Sequence, residues 1–204
     1  CFNTSSMKTS EWRALGEYFD FKGRKIFFRK SIVPRKPVIL LIHGFPTASW
    51  DWFKMWPILE EKYSLVAPDM LGFGFSDKPK GHDYSLMEQA DIMEATLKYL
   101  GIEHVDLLVH DYGVSVAQEL LARNDERLQA GTAGIKISSC IFLNGGLFPE
   151  THRPRPVQKL LLSPLGFLVC KLMNKKSFNR GLADVFGPNT KPSKTELEAC
   201  WELV

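Results

Sequence analysis

Apolar positions along the chain fall into two rhythms. VILLIH (Val38–His43), SLVAPD (Ser64–Asp69), VDLLVH (Val105–His110) and KISSCIFLN (Lys136–Asn144) are short apolar runs bounded by Pro, Gly or polar residues. That is the pattern of strands in a parallel sheet buried on both faces. Between them lie helix-length segments: Trp50–Glu61, carrying Trp50, Trp52 and Trp56; a segment from Ser85 to Leu100; and Gly113 to about Arg127. Ser85 and Glu88 have the spacing of a capping box, and Gly101 supplies a stop. Ahead of these, EYFDF and KIFFRKS flank the Gly-containing turn Lys22–Arg24 and predict a β-hairpin. Strands alternating with helices predict an α/β chain with a doubly wound, mostly parallel sheet.

The strand pattern stops after Gly146. Helix-like pieces follow, broken by Pro149, Pro154, Pro164, Gly181, Pro188 and Pro192, and predict a helical lid over the strand ends. The chain therefore divides into a polar segment over 1–15 that is expected to be loose, an α/β core over 16–146 and a partial lid over 147–204. It opens at Cys1 rather than Met and closes at Val204 inside a helical pattern with no stop signal, so it reads as a fragment truncated within the lid. Ending the sheet at Lys136–Asn144 is expected to leave an open strand edge.

Composition narrows the chemistry. The 204 residues are 45% hydrophobic and 24% charged, enough for one α/β domain, and a net charge of +3 without a basic stripe argues against a nucleic-acid partner. Cys1, Cys140, Cys170 and Cys200 are too scattered for a metal or redox motif, and GFGFSD lacks the Lys and Ser/Thr of a phosphate loop. No metal or cofactor is expected. The run Leu160–Cys170 falls short of the ~20 residues that span a bilayer and reads as a buried or interfacial helix pair. Lys171, Lys175, Lys176 and Arg180 read as a solvated face, with contact to a membrane surface as the alternative.

Ligands of open α/β sheets bind at the carboxyl ends of the strands. Here those ends are HGFP (His43–Pro46), DMLGFGFSDKP (Asp69–Pro79) and HDYG (His110–Gly113). A strand that turns abruptly into a helix holds its tip residue in the cleft, with the helix N-terminus behind it. Asp111 occupies that tip and is the candidate nucleophile, forming an ester, with the backbone N–H groups of Phe45 and Tyr112 as donors to the developing oxyanion. Taken alone, an aspartate in a turn is a turn or cap residue. Gly113, Ser115 and Ala117 form a G-x-S-x-A pattern that raises a serine esterase acting through Ser115, yet Ser115 falls about a turn too late to sit at the tip. His43 and His110 read as residues that orient turns by hydrogen bonding, and Asp69 as a turn or cap residue.

HGFP, DMLGFGFSDKP and HDYG, in that order, resemble the α/β-hydrolase superfamily, in the branch of epoxide hydrolases and haloalkane dehalogenases with an aspartate nucleophile. The likeness runs from about Trp12 to Trp201. It implies the α/β-hydrolase fold and an epoxide hydrolase-like activity on a small apolar or lipid-like substrate through an aspartyl ester. It also implies an endoplasmic-reticulum membrane protein with an N-terminal anchor, which these residues do not contain. This sequence departs from the pattern in places. Tyr112 stands where the family commonly has Trp, and Phe45 replaces the halide-holding Asn of dehalogenases. The β-branched Val109 stands where a small residue relieves the elbow, so a distorted elbow is expected. The family's catalytic His and acid are expected beyond Val204, and its lid tyrosines have no counterpart after Tyr112. The competing reading is a non-catalytic α/β-hydrolase-like protein that binds a lipid or a partner.

Overall fold

The computed structural model describes residues 7–146, 166 and 174–204. Within them, the segment expected to be loose holds a helix, α1 (Thr9–Ala14). The reason is a single aromatic anchor. Trp12 is fully buried, edge-on to Trp56 at 5.2 Å, with its indole N–H donating to Ser49 Oγ at 3.1 Å and the Arg29 guanidinium 4.0 Å from its ring. Burying one such ring outweighs the polar character of its neighbours.

Strands β1 (Gly16–Phe21) and β2 (Arg24–Ser31) form the expected hairpin. Lys22 and Gly23 close it with φ of 52° and 77°, the primed turn whose twist matches that of paired strands. β3 (Val38–Ile42) lies at the sheet centre. The single helix expected over Trp50–Glu61 is instead a 3-10 turn, Ser49–Trp52, followed by the one-turn helix α2 (Trp56–Leu59). Pro57 is the cause: with no N–H to donate and a ring that crowds the preceding turn, it can start a helix but not sit inside one.

β4 (Ser64–Pro68) leads to α3 (Leu86–Tyr99), β5 (His104–His110), α4 (Tyr112–Ala130) and β6 (Lys136–Leu143). The sheet order is β1-β2-β4-β3-β5-β6, with β3 parallel to β4 and β5, β5 parallel to β6, and the hairpin strands antiparallel to each other and to β4. Nearly every side chain of β3 and β4 is buried, which is why both read as continuous apolar runs. β6 is an edge among the described residues, and its Ile141 is 57% exposed.

The helix signals are largely realised. Ser85 Oγ accepts the Glu88 N–H at 3.1 Å, but the Glu88 carboxylate turns to His82 Nε2 at 2.6 Å, leaving the cap one-sided. Gly101, at φ 67°, ends α3, and the Ile102 N–H returns to Leu97 O at 2.9 Å. Arg123 ties the two helices together, bonding Asp91 at 2.7 Å and Glu94 at 3.1 Å on α3 and Glu119 at 2.8 Å on its own helix.

By compactness the chain divides into Cys1–Leu147 with Leu203–Val204, and Phe148–Glu202. In the latter, Phe178 of α5 (Lys175–Ala183) meets Trp201 of α6 (Lys194–Leu203) edge-on at 5.4 Å. Ser193 and Glu196 close a capping box at the start of α6. Lys175, Lys176 and Arg180 are exposed. The rest of the expected lid lies outside the described residues, including Lys171 and the run Leu160–Cys170 apart from Gly166. No described helix is long and apolar enough to cross a membrane.

Candidate active site

β5 ends at His110 and α4 begins at Tyr112, so Asp111 alone makes the turn, at φ 52° and ψ −115°. A non-glycine residue held there costs on the order of 1–3 kcal/mol and persists only when its surroundings enforce it. They do: the Asp111 N–H donates to Leu143 O at the end of β6 at 3.1 Å, and its carbonyl accepts the Val114 N–H at 3.0 Å. The crowding expected from Val109 is absorbed by the sheet, where that fully buried side chain sits in register between Ile42 and Phe142. Two glycines let the elbow close onto β3. A Cβ at Gly113 would stand 2.7 Å from the carbonyl oxygens of Ile42 and His43, and one at Gly44 would stand 2.6 Å from Asp111 Cβ.

The Asp111 side chain does not cap α4. Its Oδ1 instead accepts the Phe45 N–H at 3.0 Å, across the gap between two adjacent strand ends. Phe45 and Asp111 are thus brought together. Tyr112 supplies the first N–H of α4, a position that has no acceptor within its own helix. Ser115 is the fourth residue of α4, a turn past the tip.

His43 is fully buried, with Nδ1 2.8 Å from Gly44 O and Nε2 accepting the Met70 N–H at 3.0 Å. Those partners define a neutral ring protonated at Nδ1. Burial pulls its pKa down to about 4, with the Gly44 carbonyl opposing. Both nitrogens are occupied, so His43 braces the HGFP turn and the DMLGFGF loop rather than acting as a base.

Asp69 does more than end a strand. Fully buried, it accepts the Ser49 N–H on Oδ1 and the Phe75 N–H on Oδ2, both at 2.7 Å, clamping the two loops that flank the cleft. Burial pushes it up to about 6 against the pull of those donors. Asp51, which accepts the Thr47 hydroxyl, is raised to about 7 by desolvation, with the charges of Asp69 and Asp111 adding to it.

Phe73 is the residue that sequence reasoning passes over within the GFGFSD segment. Its ring is edge-on to His43 at 5.3 Å and to Phe45 at 6.2 Å, and stacked on Tyr112 at 6.1 Å. Its one signal in the sequence is its place between Gly72 and Gly74, whose φ values of 89° and 51° make a tight loop apex. Among the described residues, no group of His, Cys, Asp or Glu could hold a metal ion. An open groove of about 950 Å³, lined by Phe21, Lys98, His104, Arg127 and Lys136 among others, reaches the starts of β5 and β6, at the opposite end of the strands from Asp111.

A strand–elbow–helix with Asp111 at its tip, over a mostly parallel sheet, is the architecture of a hydrolase class of fold. Residues 37–161 match the alpha/beta hydrolase fold family, and the chain belongs to it. It is 47% identical over 200 residues to the mesoderm-specific transcript homolog protein of Homo sapiens, covering 93% of this chain and 58% of that protein. The chain therefore spans less than two thirds of the length of that relative. Among solved structures, it superposes on the haloalkane dehalogenase DbeA of Bradyrhizobium elkani with a TM-score of 0.74 and 23% identity, over 92% of this chain and 62% of that one. The epoxide hydrolase CorEH gives 0.67 and 18%, over 90% and 66%. At these identities the likeness is one of fold.

Proposed function

We propose that the chain carries the nucleophilic half of a hydrolase that opens small apolar epoxides through an ester on Asp111. The observation that carries this reading is the 3.0 Å hydrogen bond from the Phe45 N–H to Asp111 Oδ1. A carboxylate with one oxygen already in a backbone donor site has its other oxygen, Oδ2, to attack carbon. Attack at an epoxide carbon breaks that carbon's bond to oxygen, and the oxygen leaves with the electron pair and takes a proton from solvent water, which is left as hydroxide. Oδ1 becomes the ester carbonyl oxygen. When water later adds to that carbonyl, the negative charge develops on Oδ1, where the Phe45 N–H, joined by that of Tyr112, stabilises it. The second step needs a base, and His43 cannot serve.

The test is intact-mass analysis of the full-length protein mixed with excess 1,2-epoxybutane or styrene oxide and quenched in acid within the first turnover, before hydrolysis releases the ester. One adduct of the epoxide's mass on Asp111, absent from Asp111→Asn, is the expected result. An adduct that survives this substitution, or fluorophosphonate labelling of Ser115, would sink the assignment. Tight lipid binding without any adduct would favour the non-catalytic reading. Location at the endoplasmic-reticulum membrane is a separate proposal resting on family likeness, checked by fractionating the tagged full-length protein.

A further inference from the structure

The rings of Phe45, Phe73 and Tyr112 meet in series on the segments that flank Asp111. Phe45 gives its N–H to the carboxylate and is itself 61% exposed, while Phe73 and Tyr112 are half-buried and share a stacked contact. An exposed phenylalanine ring next to a carboxylate at a strand end is apolar surface rather than interior packing.

The loop that carries Phe73 is pinned on several sides. The Gln89 amide takes the Leu71 N–H at 3.0 Å and donates to Leu71 O at 2.9 Å, holding the loop to α3. Asp69 holds Phe75, the Gly72 N–H bonds Asp77 O at 2.9 Å, and Asp77 exchanges bonds with Lys25 of β2, its N–H donating at 2.9 Å and its Oδ2 accepting at 2.7 Å. Ser76 Oγ donates to Asp69 O and accepts the Phe27 N–H. A side chain on such a loop is positioned before any ligand arrives, so little ordering cost remains at binding.

We propose that Phe73 is the specificity-determining residue of this site. With Phe45 and Tyr112 it forms a preset aromatic wall that receives a phenyl or similarly flat apolar group borne on the carbon that Asp111 attacks. The ring arrangement fits an aromatic guest better than an alkyl one, because edge-to-face and offset-stacked contacts add attraction beyond the area buried. The inference rests on the aspartyl-ester reading for the identity of the attacked carbon, while the wall itself can be tested without turnover.

The experiment titrates full-length protein with two unreactive diols, 1-phenyl-1,2-ethanediol and 1,2-butanediol, followed by ligand-observed NMR, in the wild type and in Phe73→Leu. Leucine keeps apolar bulk and removes the ring. The expected result is a preference of about tenfold for the phenyl diol in the wild type, falling to roughly threefold or less in the variant while butanediol affinity is retained. A preference unchanged by the substitution overturns the proposal. So does an equal loss for both diols, which would make Phe73 only a support for the rim. Should the variant fail to fold, magnetisation transfer from the Phe73 ring protons to the diol's phenyl protons in the wild type decides: its absence overturns the wall. Absence of any adduct on Asp111 from either epoxide in the mass experiment counts against the ester chemistry alone, and the diol ratio then still decides the role of Phe73.

Discussion

Gly113 lies against His43 so closely that a Cβ would meet the His43 carbonyl oxygen at 2.7 Å, and that of Ile42 at the same distance. Both obstacles are backbone atoms at the end of the central strand and cannot rotate aside. Gly113→Ala must push α4 away from β3, and overpacking of this kind costs about 1–3 kcal/mol. Urea unfolding should show a lower midpoint, and a variant as stable as the wild type would mean that α4 can move off β3 without loss.

Gly44 presents the same geometry with a different consequence. Its added methyl would meet Asp111 Cβ at 2.6 Å and Oδ1 at 3.0 Å, so the clash falls on the side chain that takes the Phe45 N–H. Gly44→Ala is expected to lose about 1–3 kcal/mol of stability and to slow hydrolysis of the ester roughly 10²–10³-fold, the scale of losing one oxyanion donor. A time course of intact mass checks it, and an unimpaired rate would separate the hydrogen bond from the chemistry.

The parts of this arrangement legible in the sequence are those with a local signature. HGFP and HDYG each pair a buried strand with a glycine that permits close approach, and the register of β3 with β5 then makes Phe45 and Asp111 neighbours. Trp12 escapes a sequence reading because its partners, Ser49, Trp56 and Arg29, come from segments further along the chain, and its window of polar residues announces none of them. The segment around Trp56 misleads for the opposite reason: its aromatic spacing is helical, but Pro57 vetoes the helix locally. Asp69 resembles a turn residue because its two acceptor bonds, to Ser49 and Phe75, are long-range in one case and loop-internal in the other.

His43 links stability to pH. Its pKa is about 4 in the fold against about 6.5 in an unfolded chain, so between those values the unfolded state binds more protons. A depressed histidine therefore contributes stability above about 6.5 that is lost as pH falls toward 4, while Asp51 and Asp69, with raised values, tilt the other way. Comparison with His43→Gln removes that shared background. The advantage of the wild type over the variant should shrink by about 1.4 kcal/mol for each pH unit below 6.5, read from urea midpoints at about pH 7, 5.5 and 4.5. A constant difference would mean that His43 titrates normally.

Asp69 tests whether the cleft is held from below. Its two carboxylate oxygens each take one backbone N–H, from Ser49 in the segment after HGFP and from Phe75 in the loop that carries Phe73. Asp69→Ala strands both donors in a buried place, at about 1–3 kcal/mol each unless water enters. The loss should be unequal across the molecule. Amide hydrogens of Ser49 and Phe75 should exchange faster, those at the centre of β3 should change only with global stability, and ester formation should weaken for aryl and alkyl epoxides alike because the whole rim loosens. That pattern differs from Phe73→Leu, which is expected to change only the aryl preference. Uniformly faster exchange at every amide would show that Asp69 contributes to overall stability without particular hold on the two loops, and positioning of Phe73 would then have to come from Gln89 and Asp77.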